Sequence, residues 1–205
     1  MLFDTLALIS LLIIITLLRS LVNIFPSLAA CMARAKENFN IDASVKLQRD
    51  RNILSVALGI PFCLVSYRFC LYNPSFISGL NESAGLGMTA GVLIAYALLR
   101  VLLRTAIRPR KAPATYATGA SAAYTFFIIL TLLLLTIGGV MTFFNARPDS
   151  IRNAMIWVSG TIYLIFLIRK VQIFATSYNY FTVFLYLCAL EIIPTGVLIT
   201  SAIIF

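Results

Sequence analysis

The chain predicts an all-α, polytopic membrane helix bundle, and three observations carry that prediction. Of its 205 residues, 61% are hydrophobic and only 11% are charged, against roughly 45–50% and about 25% in a soluble domain. Mean hydropathy is +0.98. The apolar residues gather into six stretches, most of them near the roughly 17–25 residues that cross a bilayer as a helix. The expectation is therefore a single integral membrane domain, 1–205, of about six transmembrane helices.

The first span is expected from Leu2 to Phe25, where Pro26 interrupts the run. The second covers Ile53–Tyr72, with Pro61 marking a kink, and the third Gly87–Leu103. The fourth, Ala120–Phe144, contains the Gly138-Gly139 pair, a packing notch or kink. The fifth, Ala154–Ile168, is the shortest, and the sixth runs from Phe181 to about Phe205.

Between the first two spans lies the one sizeable polar segment, Pro26–Arg51. Leu28, Cys31, Met32, Ala35 and Phe39 share one helical face, and Arg34, Lys36, Glu37 and Asn38 the other. That pattern predicts an interfacial helix along the cytoplasmic surface, with Asp42 capping a second short helix. Leu28-Ala29-Ala30-Cys31 matches a lipoprotein cleavage box, but Asp4 stands where a positive leader is required, so a retained helix is expected.

Charge orients the bundle. The first, third and fifth connections carry six, four and two basic residues, whereas the second carries none and the fourth two. The positive-inside rule then makes the first, third and fifth connections cytoplasmic and both termini periplasmic. The net charge of +9 thus points to a bilayer with anionic headgroups on its cytoplasmic face, not to nucleic acid. The absence of histidine removes histidine metal sites, Ser-His dyads and haem ligation. Four cysteines without a CxxC pair form no disulfide or zinc framework. No metal or other cofactor is expected, and the reading leans away from an enzyme.

Glu191 is the most informative residue, because an acid near the centre of an apolar span costs on the order of 2.5–3.5 kcal/mol on insertion scales. Pro194 follows one turn later and frees the carbonyl of Leu190. The pair fits either a structural carboxyl locked to an arginine or a proton or cation site in a transporter. Arg68 is either that partner or a side chain reaching out to headgroups beside Tyr67 and Tyr72. Arg100 is expected to reach the cytoplasmic headgroups, and the lysines to lie in loops. Gly87, Gly91 and Ala95 make a small-residue ridge expected to pack helices within the bundle, or else between copies.

The stretch Tyr186-Leu187-Cys188-Ala189-Leu190-Glu191-Ile192-Ile193-Pro194 resembles the C-terminal signature of the domain-of-unknown-function 4271 family of bacterial integral membrane proteins. The resemblance implies a multi-pass protein of the bacterial inner membrane and no established activity. It adds weight to Tyr186, Cys188, Glu191 and Pro194 as the intramembrane polar site. The function expected is a structural, assembly or accessory membrane factor, with a membrane-protein partner or a second copy. The alternatives are a small transporter or channel using Glu191 and, behind it, a membrane enzyme acting on a lipid-like substrate.

Overall fold

A computed structural model describes residues 2–72, 74, 79–107 and 113–204. Arg108, Arg110 and Lys111 of the third connection, and Phe205, lie outside the described residues. The described chain is all-α, with no strand among its residues. Helix α1 spans Leu2–Ala33, α2 Glu37–Ala43, α3 Val45–Ala57 and α4 Gly59–Arg68. Helix α5 spans Glu82–Ala106, α6 Pro113–Phe143 and α7 Pro148–Phe174. The last passage is α8, Tyr180–Leu187, a π-helical turn, Cys188–Ile192, and α9, Ile193–Ile204. Among these, α1, α5, α6, α7 and the continuous 180–202 segment are each long and apolar enough to cross a bilayer.

The outside of the bundle is apolar. Leu12, Ile94, Leu102, Trp157 and Leu164 are all more than half exposed, a surface that only lipid accommodates without aggregation. The inside carries a run of hydroxyls, including Thr89, Thr118, Ser121, Thr125 and Thr131. Several donate back to a carbonyl of their own helix, as Thr89 does to Gly85 and Thr131 to Phe127. Small polar side chains inside and large apolar ones outside are the arrangement that favours close helix approach in lipid. The chain is a membrane protein.

Four expected boundaries shift, each for a visible reason. Helix α1 runs through Pro26 despite the lost backbone N–H, because Ile24, Leu28 and Cys31 on either side are buried against the bundle. The second span is not one helix. It divides at Leu58, three residues before Pro61, whose ring crowds the carbonyl four residues back, that of Ala57. The shortest expected span becomes the 27-residue α7, because Pro148 and Asp149 open a polar first turn and Arg169 and Lys170 continue the helix beyond Ile168. Helix α5 likewise starts early, at Glu82, with Asn81 as its extended cap residue.

The polar segment is not a flat interfacial helix. It is the end of α1, the short α2 and the start of α3, folded onto one end of the bundle. Asn38, expected on the wet face, is fully buried. Asp42 does not cap α3; Ser44 does, accepting from the Leu47 N–H. Asp42 instead accepts from Arg51 Nη1 at 2.7 Å and from Ser121 Oγ at 2.9 and 3.1 Å. One carboxylate thereby joins α2, α3 and α6, and Arg51 is only 1% exposed. This end, which also carries Arg104 and Lys170, is the basic end of the bundle.

At the opposite end, Phe69 packs beside Gly138 and Met155, and the Tyr72 hydroxyl meets Ser201 Oγ at 3.0 Å. Of the Gly138-Gly139 pair, only Gly138 is a notch: a Cβ there would stand 2.7 Å from Met155 Cε and 3.1 Å from the Phe69 ring. The ridge expected to pack the bundle does the reverse. Gly87, Gly91 and Ala95 are exposed, and a Cβ on either glycine meets nothing within 4 Å. The close approach on α5 is at Gly85, where a Cβ would stand 3.0 Å from the Tyr67 ring.

A contrast between glycines tests this packing. Gly138→Leu should lower unfolding stability in mild detergent by about 1–3 kcal/mol through overpacking, while Gly91→Leu should leave it unchanged.

Candidate functional site

Glu191 is buried, with 2% of its surface exposed. Its Oε1 accepts from Lys170 Nζ and its Oε2 from Arg100 Nη2. The three residues come from the π-turn, from α7 and from α5, so one carboxylate ties three passages together.

The sequence around Glu191 explains its position. Pro194 has no N–H, so the ladder of an α-helix cannot continue unbroken through residues 190–194. The chain widens into a π-turn in which the Ile193 N–H reaches the Cys188 carbonyl. Such a turn inserts an extra residue and lets backbone groups find other partners. Leu190, Glu191 and Pro194 are all buried as a result. The Glu191 carbonyl accepts from the Tyr163 hydroxyl at 3.2 Å. One turn on, Thr195 Oγ1 pairs with the Tyr96 hydroxyl at 3.0 Å.

Aromatic rings close the site. The Arg100 guanidinium lies 5.7 Å from the Tyr96 ring centre and 6.0 Å from that of Phe166. Lys170 Nζ lies 5.5 Å from Phe166 and 5.6 Å from Phe174. A cation over the face of a ring is attracted to it, so these rings contribute to holding both side chains. Below them, toward the basic end, Phe174 stacks on Tyr116 and packs against Tyr178 and Tyr186. Gly119 permits this, since a Cβ there would overlap the Phe174 ring.

Two cations face one acid, and the surplus has an outlet. The Lys170 side chain is 3% exposed, but that of Arg100 is 26% exposed. The uncompensated charge therefore sits on the partner that reaches the surface, where headgroups and water screen it.

The expected site residues divide accordingly. Glu191 and Pro194 lie at the centre. Cys188 supplies the carbonyl that closes the π-turn, and Tyr186 belongs to the aromatic floor. Arg68 is not a partner: it is exposed near the other end of the bundle. Arg100 was expected among headgroups and is instead a ligand of Glu191. Lys170 was expected in a loop and is instead in the last turns of α7. Its signal is periodic: Met155, Ile162, Phe166, Lys170 and Ile173 form the buried stripe of α7. Glu191 also lies nearer the basic end than the centre of its own span implied, because Lys170 is one turn from the end of α7 and Arg100 less than two from the end of α5.

Among the described residues no cluster of acids and cysteines could hold a metal ion. No family model, no curated protein and no solved structure matches the chain.

Two conservative changes grade the site. Tyr163→Phe should cost about 0.5–1.5 kcal/mol, the worth of one hydrogen bond to the Glu191 carbonyl. Glu191→Asp keeps the charge but is one methylene too short to meet both cations, and should cost more, about 1–3 kcal/mol. Equilibrium unfolding in mixed micelles measures both.

Proposed function

We propose that this protein is a structural or accessory component of a bacterial inner membrane, with both termini periplasmic, whose Glu191 is a permanent lock and not an ion carrier. The observation that carries this reading is the double occupancy of the carboxylate. An acid that binds and releases protons or cations must be vacated in turn and must meet water. Here each oxygen is held by a fixed cation: Lys170 is buried beside Phe166 and Phe174, and Arg100, which reaches the surface, packs beside Tyr96 and Phe166.

The resemblance of the Tyr186–Pro194 motif to the domain-of-unknown-function 4271 family supports the cellular setting. The gathering of Arg51, Arg104, Arg169 and Lys170 at one end supports the orientation. The outward small-residue ridge at Gly87, Gly91 and Ala95 is where a partner helix or a second copy would approach most closely.

Glu191→Gln, which keeps shape and removes charge, tests the proposal. The expected result is reduced accumulation of folded protein in the membrane and no proton or cation flux from wild-type protein in liposomes. Normal accumulation of the variant, with a wild-type flux that the variant loses, would instead establish the transporter reading.

A further inference from the structure

At the basic end a second polar feature lies apart from Glu191. A cleft of about 350 Å³ opens between α3, the end of α5 and the beginning of α6. Its size is at the lower end of small-molecule sites, roughly 300–1,000 Å³. Donors line it: Gln48 and Asn52, one turn apart on α3, together with Arg51 and Arg104. Asp42 and Ser121 are also in its wall.

Three facts point to an anion. First, Arg51 is almost wholly buried, yet its Nε–H has no acceptor among the described residues. A buried guanidinium donor without an acceptor is costly. Asp42 accepts from Nη1 and from Ser121, so the carboxylate is spent on Nη1 and α6 and not on Nε. Second, two guanidiniums against one carboxylate leave the lining one positive charge in excess. Third, Ala114 and Ala117, at the amino-terminal end of the 31-residue α6, border the cleft. They bring the positive end of a long helix dipole to it.

The cleft sits where a headgroup would be. Tyr124 lines it and is 38% exposed, while Val56, one turn beyond Asn52 on α3, is 79% exposed. The feature therefore lies at the border between the basic end and the apolar outer surface.

We propose that this cleft binds a phosphate group, of the kind carried by a phosphodiester lipid headgroup. Arg104 would take the phosphate oxygens, with the charge of the buried Arg51 guanidinium behind it, and Gln48 and Asn52 the neighbouring esters or hydroxyls. The site is independent of the Glu191 triad, so either reading survives the failure of the other.

The full chain in neutral detergent, titrated calorimetrically, tests it with three probes: dioctanoyl phosphatidylglycerol, dioctanoylglycerol without phosphate, and inorganic phosphate. Saturable one-to-one binding of the phospholipid, absent with dioctanoylglycerol, is expected. Arg104→Gln, which leaves the Asp42–Arg51 pair intact, should weaken it at least about tenfold. Asn52→Asp, an exposed helical position, should do the same by repulsion, with the melting temperature of the unliganded protein unchanged. If inorganic phosphate binds with the same losses and displaces the lipid, the site holds and its source is soluble phosphate. Saturation by neither phosphate probe, equal binding of dioctanoylglycerol, or binding indifferent to both substitutions overturns the proposal.

Discussion

A carboxylate in an apolar surround must be compensated where it stands, and the bundle is arranged around how Glu191 meets that demand. Leaving it single would cost several kcal/mol, and removing one partner of a buried pair costs about 3–5 kcal/mol. Its partners, Arg100 and Lys170, stand on α5 and α7. The last passage is thus held against both at one level. The π-turn before Pro194 turns Glu191 inward, and Phe166 and Phe174 keep Lys170 dry. Tyr163 then ties the widened backbone back to α7.

A second clamp, Asp42 with Arg51 and Ser121, closes the other side of the same end and gathers α2, α3 and α6. Arg100 and Arg104 stand one turn apart on α5, the first in the triad and the second at the cleft, so this helix borders both polar features. The basic end is therefore fixed by charge, and the opposite end by packing, with Phe69 seated beside Gly138. Much of α1 faces outward, with Leu8, Leu12, Ile15 and Val22 exposed, while Ser10 and, in the last turns, Ile24, Leu28 and Cys31 are buried.

How much of this was readable in the chain depends on the physical signal. Hydropathy reports length and apolarity, so the fold class and the position of most passages were legible. It does not report where a helix continues into polar residues, and α7 was drawn too short for that reason. Truncating it at Ile168 left Lys170 in a loop and hid the second partner of Glu191. Periodicity along 155, 162, 166 and 170 held the missing information. The small-residue ridge illustrates the opposite limit: spacing shows that Gly87, Gly91 and Ala95 share a face, but not which way that face points. Pro61 and Pro194 signalled real breaks, at Leu58 and in the π-turn, whereas α1 continues through Pro26, held by the buried Ile24, Leu28 and Cys31. The pairing of Asp42 with Arg51, nine residues apart, and of both with α6, is tertiary and carries no local pattern.

The central claim is that Glu191 and Lys170 are energetically one unit. A double-mutant cycle in mixed micelles, using Glu191→Leu, Lys170→Leu and the two together, measures this directly. The account predicts that each single change is strongly destabilising and that the double change costs less than their sum, with a coupling of about 1–3 kcal/mol. Losses that add to within about 0.5 kcal/mol would contradict it.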